Sequence, residues 1–294
     1  MSVNKDITTI YKPHLPHVLS LGAGVQSSTL ALMAANGMVQ GYPQLTAAVF
    51  ADTQDEPASV YKWLDWLEAE IARCPFPFPV HRVTKGRLID GSLKTHIRKR
   101  DGSKSSSVNI PLFVKNADGS QGRITHRNCT IDYKIKPVTR ELRKIAGIKR
   151  GQKEIGVVQW IGISLDEVRR MKDGREPWAE NCWPLIDMRM NRNECKMWMK
   201  TQGYPEPPRS ACVYCPFHNN HEWRRLKKDE PEAFALAVDV EKRLQQAKNR
   251  GSNMDATPYL HRSCVPLDQV DLSTEEDHGQ LDLWTNECEG MCGL

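Results

Sequence analysis

Apolar positions run almost unbroken through the first part of the chain: no Asp, Glu, Lys or Arg occurs from Pro13 to Ala51. Gly22, Gly24, Gln26, Ser27, Ser28, Asn36, Gly37, Gly41 and Pro43 break the stretch, so no run reaches the roughly 18 apolar residues of a membrane span. The pattern predicts a strand over 18–21, a glycine loop, a helix over 28–35 stopped at Gly37, and a second strand over 45–51. Strands apolar on both faces belong to a parallel sheet covered by helices.

The alternation continues. Pro57 opens a helical pattern to residue 72, with Val60, Trp63, Leu64, Leu67 and Ile71 on one face. A short strand is expected over 79–83. Residues 94–107 are basic, serine-rich and without period, and read as a mobile loop. A helix opened by Pro137 and stopped by Gly147, a buried strand over 157–163 and a charged helix over 166–172 follow. Strand and helix in turn predict an α/β fold with a doubly wound parallel sheet. After Asn181 the texture shifts toward Trp, Pro and Cys. There Asn193 is expected to cap a helix to residue 200, Pro205, Pro207 and Pro208 form a stiff connector, and 231–248 is a long amphipathic helix. This divides the chain into an α/β domain, 1–180, and a helical, cysteine-bearing region with its tail, 181–294.

Composition narrows the class. With 294 residues, 39% hydrophobic and 26% charged, and a mean hydropathy of −0.55, the chain is neither disordered, collagen-like nor a membrane bundle. A net charge of +5 is compatible with a nucleotide or nucleic-acid partner without requiring one. The first sixteen residues carry no apolar segment of a secretory signal, so a cytoplasmic location is expected. In a reducing compartment nine cysteines are buried thiols, metal ligands or nucleophiles rather than a disulfide framework.

Ser20-Leu21-Gly22-Ala23-Gly24-Val25-Gln26-Ser27-Ser28 joins the first strand to the first helix. Glycines let backbone N–H groups approach a phosphate, and a helix N-terminus adds partial positive charge; Ser27 and Ser28 can each donate once more. The loop is neither a Walker P-loop nor a full dinucleotide fingerprint, and a tight turn without ligand explains it equally well. Asp52-Thr53-Gln54-Asp55-Glu56, at the carboxyl end of the second strand, tips the balance toward a nucleotide site: open α/β sheets bind nucleotides along that edge.

These residues resemble the superfamily of phosphoadenosine phosphosulfate reductases and N-type ATP pyrophosphatases, in its phage and bacterial branch. The loop at 22–28 is similar to its S-G-G-x-D-S pyrophosphate loop, with Gly22 in place of the first serine and Gln26 in place of the aspartate. Asp52-Thr53 matches its D-T motif. The resemblance implies an adenine nucleotide alpha hydrolase-like fold and an adenine nucleotide, ATP included, held by Ser20, Gly22, Ala23, Gly24, Val25, Gln26, Ser27, Ser28, Asp52, Thr53 and Gly162.

Cys212-Val213-Tyr214-Cys215-Pro216 has a spacing that lets two thiolates bind one metal or cluster; two buried thiols are the plainer alternative. Cys129, in C-T-I-D-Y-K-I-K-P, resembles the C-C-x-x-R-K-V-x-P segment of the iron–sulfur sulfonucleotide reductases, with Thr130 at the second cysteine. That likeness implies a [4Fe–4S] cluster on Cys129, Cys212 and Cys215, with Cys288 of the tail as fourth ligand. Cys292 would be the mobile thiol of a tail similar to E-C-G-L-H; exchanging Cys288 and Cys292 is nearly as good. A structural zinc on Cys212, Cys215, Cys288 and Cys292 is the rival. Cys74, Cys182, Cys195 and Cys264 are expected core thiols, and His218 and His221 surface groups.

Gly162 followed by Arg169 and Arg170 resembles G-x-R-x-x-E-S-x-x-R, where arginines hold anions. Ser164 stands where the first arginine is expected, so one clamp is missing. Three functions follow from the resemblance. In the first, ATP adenylates a DNA or tRNA acceptor and sulfur, from the cluster, a cysteine or a sulfur-donor protein, displaces AMP. In the second, a Cys292 thiolate attacks a sulfonucleotide. In the third, the chain is a non-catalytic nucleotide-binding module with structural zinc.

Overall fold

The computed structural model describes residues 11–92, 95–97, 104–106, 108–122, 127–249 and 256–273. The chain runs β1 (His17–Leu21), α1 (Val25–Ala35), β2 (Ala47–Asp52), α2 (Ala58–Ile71), β3 (Val80–Thr84) and α3 (Leu88–Ser92). Then come β4 (Thr95–Ile97), β5 (Lys104–Ser106), β6 (Phe113–Lys115), a π-helical turn over Thr130–Ile135, and α4 (Lys136–Ile145). β7 (Val157–Ile161), a 3₁₀ segment over Leu165–Arg170, β8 (Ala179–Cys182), α5 (Pro184–Asp187) and α6 (Arg192–Thr201) follow. The last elements are α7 (Asn220–Asp229), α8 (Pro231–Asn249), β9 (Thr257–Tyr259) and a 3₁₀ turn over Leu267–Gln269.

Five strands form one parallel sheet in the order β3-β2-β1-β7-β8; four match the expected strands, and β8, whose sequence A-E-N-C is not an apolar run, was not expected. Alternation along each strand divides the core between two faces. Leu19, Leu21, Ala48, Phe50, Val158 and Trp160 face α1, α2, α5 and α6. Val18, Ala47, Val49, Ala51 and Val157 face α4 through Val138 and Leu142. The chain winds outward from β1 to β3 and then returns to β7 on the other side of β1. The direction of winding therefore reverses between β1 and β7, which opens a crevice at their carboxyl ends.

A second core forms beside the sheet. Leu88, Ile89, Ile110 and Leu112 pack with Val213, Tyr214, Trp223 and Leu226, and with Phe234, Ala237, Val240 and Leu244 of α8. Glu241, buried in α8, accepts N–H bonds from Leu260 at 2.7 Å and Leu267 at 2.8 Å, clipping the segment after β9 to the helix. The expected boundary at residues 180–181 falls inside β8, which pairs with β7, and α5 and α6 pack on the sheet. The cores divide by space, not at one point in the sequence.

Four local expectations change. The first helix starts at Val25, three residues early, because Gly24 already has extended N-cap geometry. Within the segment expected as a loop, β4 and β5 pair antiparallel. The charged helix over 166–172 is a short 3₁₀ segment. Asn191, not Asn193, caps α6: its side chain accepts from Glu194 N while the Glu194 carboxylate accepts from Asn191 N, a reciprocal capping box. No helix among the described residues is long and apolar enough to cross a membrane.

Candidate functional site

The glycine loop braces itself. Ser27 Oγ accepts from Gly22 N at 3.2 Å and donates to Gly24 O at 3.3 Å, and Ala23 holds a left-handed φ of 56°. Gly162, at the end of β7, is required by close approach: a Cβ there would stand 2.9 Å from Ser27 Cα and 3.0 Å from Ser27 N. Gly24 is different. A Cβ on it meets nothing within 4 Å, so no protein contact explains the absence of a side chain, and open space lies over the first turn of α1. Ser28 does not serve this space; its hydroxyl accepts from Trp63 Nε1 at 3.0 Å inside the core.

A pocket of about 270 Å³ lies between the sheet and α4, at the carboxyl ends of β1, β2 and β7. Ser20, Leu21 and Gly22 line it with Ala51, Gln159 and Ile161, while residues 23–28, Asp52 and Gly162 stand outside its walls. Its polar rim includes Arg127, Lys134, Arg170, Lys172 and Arg175 against Asp173 and Glu176, a surplus of positive charge suited to phosphate or nucleic acid. Arg170 forms an ion pair with Glu167, and Arg169 is exposed. Only Arg170 of the two expected arginines reaches the pocket.

The acid-rich segment after β2 is held by contacts from far along the chain. Asp52 accepts from Tyr61 OH at 2.8 Å and Gln54 N at 2.7 Å. The Thr53 hydroxyl lies 3.1 Å from Cys212 Sγ. Buried Asp55 accepts from Arg87 Nε at 2.8 Å and Tyr214 OH at 2.6 Å, and its carbonyl accepts from Val213 N at 2.8 Å. Glu56, fully enclosed, pairs with Lys134 Nζ at 3.4 Å and lies 3.8 Å from Cys212 Sγ. Thr53, Asp55 and Glu56 therefore fasten the C-x-x-C turn to the sheet edge.

Cys129, Cys212 and Cys215 line one cavity, with Thr53, Leu88, Ile110, Arg127, Thr130, Lys134 and Phe217 among its other walls. Arg127, Thr130 and Lys134 also line the larger pocket, so the π-helical turn and its approach form a shared wall. π-turns concentrate at functional sites because the inserted residue re-aims side chains. Burial pushes the Cys212 thiol well up, and the Glu56 carboxylate adds to the shift. His218 is not a surface group: it is buried, its Nε2 lies 3.0 Å from Cys212 O, and its ring meets Trp223 edge-on.

The three thiols suit an iron–sulfur cluster in kind. No three His, Cys, Asp or Glu groups among the described residues gather closely enough for one ion, and a single zinc needs sulfurs about 4 Å apart. A cluster gives each thiolate its own iron and accepts a wider set. The cavity is narrow, about 30 Å³, so cluster binding must spread the segments that carry the thiols. Cys288 and Cys292 lie outside the described residues. Cys182, Cys195 and Cys264 are buried, as expected, whereas Cys74 is only partly so.

Sequence reasoning missed Arg127, Lys134 and Arg192, and gave Glu56 only a place in the acidic cluster. Lys134 and Arg127 sit beside Cys129 in sequence and were within reach. Glu56 and Arg192 acquire a role only through contacts made far along the chain. No family model and no curated protein matches this chain, so function is argued from the site.

Proposed function

We propose that the chain is an adenine-nucleotide-dependent sulfur-transfer enzyme with the adenine nucleotide alpha hydrolase-like variant of the doubly wound fold. One observation carries the reading: three cysteines from distant segments line a cavity that shares Arg127, Thr130 and Lys134 with the pocket at the sheet edge. A sulfur centre and an activated acceptor have to meet, and a common wall between the two cavities supports this reading.

The nucleoside of ATP enters the pocket beside Ser20, Ala51, Gln159 and Ile161, with its phosphates over Gly24 at the first turn of α1. An acceptor oxygen attacks the α-phosphorus; the new O–P bond forms as the bond to pyrophosphate breaks. Sulfur supplied by a donor protein then displaces AMP from the adenylated acceptor. The positive rim favours a DNA or tRNA acceptor. Cys129, Cys212 and Cys215 would hold the cluster with Cys288, and Cys292 is assigned as the mobile thiol. When bound, the cluster supplies a site for sulfur. Lys134 offsets the Glu56 charge beside it, and Leu88, Ile110 and Phe217 restrict water.

Anaerobic purification followed by iron, sulfide, zinc and ATP-binding measurements tests this reading. Wild type should contain iron and sulfide and bind ATP. Cys129→Ser and Cys215→Ser should each lower the iron content and leave ATP binding intact. Zinc without sulfide would overturn the cluster and favour the zinc module; metal content unchanged in both variants would remove Cys129 and Cys215 as ligands and overturn the cluster.

A further inference from the structure

The stretch that builds β1, the glycine loop and α1 contributes no charged side chain. A cation for the phosphates has to arrive from another part of the chain. Arg192, the first residue of α6, brings one: its Nη1 donates to Gln26 Oε1 at 3.0 Å, in the first turn of α1.

Both partners are held in place. Gln26 Nε2 donates to Glu167 Oε2 at 3.2 Å and to Ser164 Oγ at 3.4 Å. Asp166 Oδ1 accepts from Arg192 N at 3.1 Å and from the Ser164 hydroxyl at 2.6 Å, which ties the start of α6 to the strand end beside the loop. The charges are not balanced alike. Glu167 is answered by Arg170. Arg192 forms no ion pair among the described residues, and its Nε is buried without an acceptor. Its guanidinium is thus held by a neutral amide next to a helix end that is itself positive. The Asp166 and Glu167 carboxylates are close by but bond Arg192 N and Gln26 Nε2, not the guanidinium, so an anion over the first turn of α1 would be its first charged partner. A polyphosphate would satisfy both the guanidinium and the helix end; an uncharged ribose or base would satisfy neither.

We propose that Arg192, aimed by Gln26, grips the polyphosphate of the bound nucleotide and carries the charge of the departing pyrophosphate. This rests on the nucleotide reading above and assigns to α6 a binding role beyond its packing against α1. Arg192 sets which nucleotide binds: it favours the triphosphate and is indifferent to the nucleoside.

Equilibrium binding of ATP and of adenosine to the full chain, in wild type, Arg192→Gln and Arg192→Lys, tests the assignment. Arg192→Gln should bind ATP about 10- to 100-fold more weakly and adenosine with unchanged affinity. Arg192→Lys, which keeps the charge and loses the fork, should fall between. If Arg192→Gln does not fold, Arg192→Lys must still weaken ATP more than adenosine. Unchanged ATP affinity in the variants, or an equal loss for both ligands, would overturn the role of Arg192 alone. A wild type that binds neither ligand would overturn the nucleotide reading and this proposal together.

Discussion

Two glycines a few ångströms apart do opposite work. Gly162 lacks a side chain because the Ser27 backbone occupies the space, whereas Gly24 borders an open space. Gly162→Ala should therefore push the loop off the end of β7 and cost about 1–3 kcal/mol of stability, read as a lower midpoint in urea. Gly24→Val should stay within about 1 kcal/mol of wild type and lose ATP binding, because the branched side chain fills the phosphate position. If Gly24→Val binds ATP normally, the nucleotide lies elsewhere. At this scale the sequence was readable where a residue acts through its own backbone, as in the loop and the C-x-x-C turn. It was silent where a side chain's partner lies far along the chain: Thr53 and Glu56 read as part of a nucleotide edge, and their contacts to Cys212 and Lys134 leave no local mark.

Elements were legible in proportion to their length and apolar content. Strands β1, β2 and β7 and helices α1, α2, α4 and α8 announce themselves through their apolar runs, whereas β8, with the sequence A-E-N-C, does not. The π-turn at Thr130–Ile135 does not, because one extra residue in a turn leaves no mark on composition. Cap positions were off by small steps for a similar reason: Asn191 and Asn193 carry the same side chain, and only the reciprocal bond to Glu194 distinguishes them. Asn191→Ala should cost about 1 kcal/mol by chemical denaturation. Because the capped helix starts with Arg192, ATP affinity should fall with it. Asn193→Ala should change neither. Equal effects from the two substitutions would remove the cap as the reason that α6 begins where it does.

At the scale of the molecule, buried histidines tie the two cores to pH. His17, His218 and His261 are all buried, and burial lowers the pKa of each from the ordinary value near 6.5, that of His218 to about 3. In each the unfolded chain takes up a proton first. The stability they contribute is therefore full above about pH 6.5 and is lost as pH falls toward the folded values. Urea midpoints should drop between pH 7.5 and pH 5. His17→Phe should flatten the early part of that fall while lowering stability overall, since Trp160 Nε1 donates to His17 Nδ1 at 2.7 Å. A midpoint constant over this range would show that these rings are reached by water in the folded chain. The sheet and its helical faces could be inferred from apolar spacing alone. The second core could not, because it joins residues from Leu88 to Tyr133 with residues from Cys212 to Leu272, while β7, β8, α5 and α6 between them belong to the sheet and its face.

That interleaving has a consequence for how the protein is made. The first strand, the glycine loop and α1 leave the ribosome early, but the cavity needs Thr53 and Leu88, then Cys129, and finally the turn at 212–217. No partial chain shorter than that last turn possesses the three thiols together. The proposed cluster would thus assemble only once the chain has been made past Cys215, and a chain released before that turn, even one with a complete glycine loop, would lack the cavity.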